Sequence, residues 1–163
     1  MASIVETEVQ HSEERPVVSA VYWNRVKARM RLQADPTVLY ALGRHQSRVL
    51  FRDLEVRSPY NTYRNDGLPP GPIAAPGAAS LEAAVYPAQV PYLFFVAAPD
   101  GHHEFRRTMR EHQAAILKVR AQARAKAAAD SAAARDSAGR GGRGRGDTAT
   151  VNPTTAGRGR GGT

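Results

Sequence analysis

Apolar residues recur three and four positions apart from Val17 to Val26, through Val18, Val21 and Tyr22, the spacing of one face of a helix. Pro16 can open that helix, and Arg25, Lys27 and Arg29 crowd its far end, so a core helix is predicted from Pro16 to about Met30. Before it, Ile4, Val5 and Val9 can share a face over Ala2 to Gln10, interrupted by Glu6 and Glu8. Asp35 as N-cap and Pro36 at the first helical position start a third helix, which Gly43 ends. Phe51 to Glu55 predicts a short turn, and Ala78 to Tyr86 a helix stopped by Pro87 that buries Leu81, Ala84 and Val85. Tyr92 to Ala97, dense in aromatic and aliphatic side chains, reads as a buried strand. Pro99-Asp100-Gly101 turns it into a hairpin with His103-Glu104-Phe105. A last helix starts at Thr108 and runs through Met109, His112, Ile116 and Val119. The expected fold class is α+β, short helices packed around a small antiparallel sheet.

Between these elements, Ser58 to Gly77 holds five prolines and three glycines, so turn chemistry shapes it and no repeating ladder can. Tyr60, Asn61, Thr62 and Tyr63 set aromatic faces beside small hydrogen-bonding groups, a combination suited to sugar rings and equally to a loop packed for stability. Among the acids, a carboxylate next to the apolar patch of the first helix is a candidate for a raised pKa. The usual exposure of charged side chains nevertheless places Glu8, Glu13 and Glu14 in solvent, and capping accounts for Asp35. His102 and His103 are neighbours on a strand and point to opposite faces, and no nearby carboxylate or Cys completes a site, so no metal site and no cofactor is expected.

Charge is uneven along the chain. From Lys118 onward ten Lys or Arg face three Asp, which accounts for seven of the eight net positive charges. After an Ala/Arg-rich helical extension over 119–137, residues 138–163 repeat Arg-Gly with Thr, Asn and Pro between, a composition that cannot bury a core, and a disordered basic tail is expected. No Phe, Trp or Tyr follows Phe105, which leaves base stacking to Arg alone. The tail therefore suits non-specific attraction to phosphate-rich surfaces and no specific nucleic acid, an RNA-associated role through it being the alternative. With no cysteine there is neither a disulfide nor thiolate chemistry, and no stretch is apolar for long enough to span a membrane.

Five motifs occur in one order: Ala2-Ser3-Ile4-Val5-Glu6, Asn24-Arg25, Leu32-Gln33-x-Asp35-Pro36-Thr37-Val38, Ser58-Pro59-Tyr60-Asn61-Thr62-Tyr63, and Gly67-Leu68-Pro69-Pro70-Gly71-Pro72-Ile73. With Tyr92 to Val96 they make residues 1–118 resemble the catalytic domain of the endolytic murein transglycosylases, the YceG-like family. The resemblance implies an enzyme that cuts nascent peptidoglycan strands between N-acetylmuramic acid and N-acetylglucosamine, leaves 1,6-anhydro ends and terminates elongation. It implies a single catalytic glutamate in the Ile-Val-Glu stretch, which falls on Glu6, with Gln33, Tyr60, Asn61 and Tyr63 as candidates for the sugar groove. Thr7, Ala34 and Ala75 depart from the residues usual in the family. Implied partners are glycan strands and peptidoglycan synthases. The implied location is the cytoplasmic membrane, facing the periplasm or cell exterior, with attachment through an N-terminal helix that this chain lacks. The chain is accordingly expected to be an N-terminally truncated catalytic domain, and a non-catalytic glycan-binding fragment is the alternative.

Overall fold

A computed structural model describes residues 1–43 and 49–141, with side chains through Arg135. Helix α1 (Ala2–Glu8) ends where Val9 turns extended, at φ −100° and ψ 123°. α2 (Arg15–Lys27) follows a 3-10 turn over Ser12–Glu14. Its end falls short of the expected Met30 because Arg29 adopts a left-handed φ of 55°, so that the Arg29 and Met30 N–H groups fold back onto the Val26 and Arg25 carbonyls. Ile4, Val5 and Val9 pack against Val18 and Tyr22 of α2 and against Leu32 and Ala34, with Ile73, Phe95 and Phe105 closing the cluster. Each such side chain taken fully out of water contributes about 1.5–3 kcal/mol.

α3 (Asp35–Leu42) starts one residue earlier than expected: Ala34 holds the N-cap position, no side chain caps the helix, and Gly43 ends it at φ 63°. The Ser58–Gly77 loop docks here through Thr62, whose Oγ1 accepts the Ala34 N–H at 3.0 Å and lies 2.8 Å from Thr37 Oγ1. α4 (Ala78–Val85) differs from its expected orientation. Leu81 and Val85 are 51% and 67% exposed, and the small residues Ser80 and Ala83 are buried instead. Arg15 Nε donates to Ser80 Oγ, and Trp23 Nε1 donates to the Ala84 carbonyl, so the helix faces its neighbours with its slim side.

The sheet is an antiparallel pair, β1 (Phe94–Ala97) with β2 (His103–Arg106), Phe95 opposite Phe105 and Ala97 opposite His103. β1 begins after the expected Tyr92 because α2 claims the preceding carbonyls. Asn24 Nδ2 donates to those of Val90 and Tyr92, and Arg25 Nε to that of Leu93. Gly101 turns the hairpin at φ 89°, where a Cβ would also meet Gln10 Oε1 at 2.8 Å. α5 (Met109–Gly141) opens with a capping box in which Thr108 Oγ1 accepts the Glu111 N–H and Glu111 Oε2 accepts that of Thr108. Five helices and one two-stranded sheet among the described residues make the fold α+β. Met1–Ala125 forms one compact unit; the second, Lys126–Thr163, is described only as the later part of α5, which reaches Gly141. Most of the expected basic tail, residues 142–163, lies outside the described residues. No described helix is long and apolar enough to cross a membrane.

Candidate active site

Glu6 and Glu8 stand two residues apart on α1, which turns them about 200° from each other and sends them to opposite sides of the helix. Glu8, the last helical residue, sits four after Ile4 and three after Val5 and follows their buried face inward. It opens onto a cavity of about 290 Å³. Tyr22 of α2, Gln33 and Asp35 at the start of α3, Tyr63 of the proline-rich loop and His103 of β2 line the same space.

This setting favours the uncharged acid at Glu8. Burial raises its carboxyl to about 7, the charge of Asp35 adds to the rise, and a hydrogen bond with Tyr22 offsets part of it. Glu8 Oε2 is buried with no hydrogen-bond partner among the described residues, which penalises the ionised form further. The two phenols are proton donors held well above their ordinary pKa. Tyr22 is raised by burial and then by Glu8, and Tyr63 by burial and then by its hydrogen bond to Asp35 Oδ1 at 2.5 Å. Arg25, itself buried, donates to the Leu32 carbonyl at 2.7 Å and reaches Gln33 Oε1 at 3.5 Å, holding the strand of chain that enters α3. Gln33 sits at a left-handed φ of 52°, with its N–H on the Thr62 carbonyl, a strained backbone of the kind that collects at functional sites.

Glu6 faces the first turn of α4. Its Oε2 accepts the Gly77 N–H at 3.2 Å, and hydrogen bonds from Ser80 and Gly77 hold its carboxyl below the ordinary range. An anion at that position complements the exposed N–H groups of a helix start. The two acids of one helical turn thus differ in setting: one is held below the ordinary carboxylate range by hydrogen bonds to α4, the other is raised to about 7 in a cavity.

A family model described as the YceG-like family matches residues 1–118. The chain belongs to the YceG-like family. Over 118 residues it is 50% identical to a Bacillus subtilis protein named endolytic murein transglycosylase, covering 72% of this chain and 33% of the relative. A Streptococcus pneumoniae protein of the same name is 34% identical over 102 residues, which is 60% of this chain and 18% of that one. The crystal structure of a YceG-like protein from Listeria monocytogenes superposes with a TM-score of 0.68 at 51% identity, over 69% of this chain and 37% of that one. The chain thus spans about a third of the length of the Bacillus relative.

Among the residues singled out in this YceG-like sequence, Gln33 and Tyr63 meet at the Glu8 cavity, whereas Glu6, Tyr60 and Asn61 lie elsewhere. Asn61 is fully buried inside its own loop: Nδ2 donates to the Leu54 and Val56 carbonyls at 2.9 Å each, and Oδ1 accepts the Tyr63 N–H. Tyr60 stacks obliquely on Tyr40, their ring centroids 4.7 Å apart. Glu8 and Glu14, expected in solvent, are both drawn inward, Glu14 being only 9% exposed. Glu14, 88 and 89 residues away in sequence, is the carboxylate that both His102 and His103 reach. His11, Glu13 and His102 bring potential ligand atoms within 4.8 Å at the surface, but the two imidazoles stack in near-parallel planes 3.6 Å apart. Their lone pairs, which lie in those planes, do not converge on one point. The signal for Glu8 was helical spacing, i+4 from Ile4 and i+3 from Val5; for Glu14 and His103, 89 residues apart, sequence offers none.

Proposed function

We propose that this YceG-like chain is the catalytic part of an endolytic peptidoglycan transglycosylase, and that Glu8 is its general acid and base. The observation that carries the reading is a carboxyl buried in a cavity and raised to about 7, so that a large fraction holds its proton at neutral pH. In the reaction Glu8 gives that proton to the glycosidic oxygen between N-acetylmuramic acid and N-acetylglucosamine as the C1–O bond breaks. The muramic acid's own C6 hydroxyl closes onto C1, forming the 1,6-anhydro ring, and its proton passes to the Glu8 carboxylate. Protons balance, no water is consumed, and the acid is regenerated.

Hydrolytic glycosidases need a second carboxylate to handle water or to act as nucleophile, whereas a tethered hydroxyl dispenses with it. Such intramolecular attack lowers a barrier by roughly 7–11 kcal/mol when well oriented. Asp35, engaged by Tyr63, serves by its charge, keeping the Glu8 proton in place. In this reading Glu6 has a structural role, its carboxyl held below the ordinary range by hydrogen bonds to the first turn of α4. The strands cut are nascent ones at the outer face of the cytoplasmic membrane, where peptidoglycan synthases extend them.

Purified peptidoglycan digested with the wild-type, Glu8→Gln and Glu6→Gln chains and analysed by mass spectrometry tests this reading. Anhydro ends are expected from wild type and Glu6→Gln and not from Glu8→Gln. Anhydro ends made by Glu8→Gln at the wild-type rate would overturn it.

A further inference from the structure

Glu14 closes the 3-10 turn before α2, and its carboxylate is spent on the hairpin 89 residues away. Oε1 accepts the His103 backbone N–H at 2.9 Å and the His102 Nδ1 hydrogen at 3.2 Å, while Oε2 lies 2.6 Å from His103 Nδ1. Burial pushes the Glu14 carboxyl up, but hydrogen bonds from the His103 backbone and ring and from His102 outweigh it and hold the group below its ordinary range. An ionised carboxylate only accepts, so His103 Nδ1 carries a hydrogen. The ring is fixed in other directions as well. It meets Phe95 edge-on with centroids 4.9 Å apart, and its side chain is only 4% exposed.

What remains of the imidazole is Nε2, on a ring that lines the Glu8 cavity. Among the other polar groups there, Glu8 and Tyr22 carry protons to donate, while the acceptors Asp35 and Gln33 already face Tyr63 and Arg25. Nothing in the catalytic step above uses His103, yet a buried carboxylate that sets the tautomer of a cavity histidine is how proteins aim one ring nitrogen at a ligand. We propose that the Glu14–His103 pair is the hydroxyl anchor of this cleft, with His103 Nε2 accepting a hydrogen bond from a sugar hydroxyl and Glu14 as the positioning residue that fixes the ring. The inference rests on the glycan reading of the cavity and adds a residue that holds the strand in register for Glu8.

The test uses binding, which separates it from the cleavage assay. The full chain carrying Glu8→Gln, so that bound sugar stays intact, is labelled with 15N-histidine and titrated with a GlcNAc–MurNAc tetrasaccharide. His103 is expected as the Nδ1–H tautomer in the unbound protein, with its Nε2 resonance moving as the tetrasaccharide saturates. In the same background His103→Ala should weaken Kd at least tenfold and His103→Gln, whose Oε1 can accept the hydroxyl, should weaken it less. Glu14→Gln should disturb the His103 tautomer and weaken binding, with no further loss when combined with His103→Ala. An imidazolium or Nε2–H form of His103 at pH 7, an Nε2 resonance that stays put at saturation, or a folded His103→Ala chain binding within twofold of its parent would each overturn the anchor while leaving the Glu8 chemistry standing. A parent that binds no tetrasaccharide would instead remove the glycan reading, and this inference with it.

Discussion

Replacing Glu8 by Gln should stabilise the fold while disabling it, and the gain should appear only as the solution is made less acid. Glu8 has a carboxyl pKa of about 7 in the folded chain against an ordinary value of 4.5. Between those two values the folded state holds a proton that the unfolded state has released, so wild-type stability falls as pH rises through this window and levels off above about 7. At 1.36 kcal/mol per unit, the full shift corresponds to roughly 3 kcal/mol. Gln keeps the shape of the neutral acid and cannot ionise. The two chains should therefore be equally stable near pH 4.5, and Glu8→Gln should lead by about 3 kcal/mol at pH 8. With a urea slope of about 1–3 kcal/mol/M for a small protein, that is a midpoint shift of roughly 1–3 M. Urea titrations followed by tryptophan fluorescence at pH 4.5, 6 and 8 read it through Trp23. Glu6→Gln is the control of opposite sign. Its depressed pKa stabilises the fold above the ordinary carboxylate range, so that variant should be the weaker one at neutral pH and draw level with wild type in acid. A Glu8→Gln advantage that does not grow with pH, or a deficit at pH 8, would refute the claim that the cavity holds a proton on Glu8.

Asp35→Asn removes the neighbouring charge that helps raise Glu8, so the alkaline limb of the pH–rate profile for anhydro-product formation should move to lower pH and the rate at pH 7 should fall; an unmoved limb would mean the two acids do not interact. Asn61→Ala strands two partly buried carbonyls and the Tyr63 N–H, and a loss of about 2–3 kcal/mol in urea unfolding is expected, against a change within about 0.5 kcal/mol if Asn61 were an exposed groove residue.

Much of the architecture follows from short-range chemistry that a sequence displays. The core face of α2, the Thr108–Glu111 box at the start of α5 and the Gly101 turn between two strands are all local signals, and each element stands where those signals put it. Asp35 and α4 differ from expectation for one reason: partners far away in sequence. Asp35 was expected to cap α3 but gives its carboxylate to Tyr63, 28 residues on. α4 turns its small residues inward because Glu6, Arg15 and Trp23 occupy its flank, which no hydrophobic pattern within α4 encodes. Asn61 has the chemistry of a sugar-binding residue, and the Leu54 and Val56 carbonyls exhaust it. The proposed choice of Glu8 over Glu6 is different, because its basis is visible in the sequence. Helical geometry places only one of two acids separated by a single residue on the face shared with Ile4 and Val5.

The claim beneath all of this is that one particular carboxyl keeps its proton in neutral solution, and that is directly measurable. Chemical-shift titration of the 13C-labelled Glu8 side-chain carboxyl in the intact chain should give a midpoint near 7, with Glu6 titrating below the ordinary carboxylate range. A Glu8 midpoint at the ordinary value of 4.5 would leave the cavity with an ionised acid at pH 7 and contradict the account.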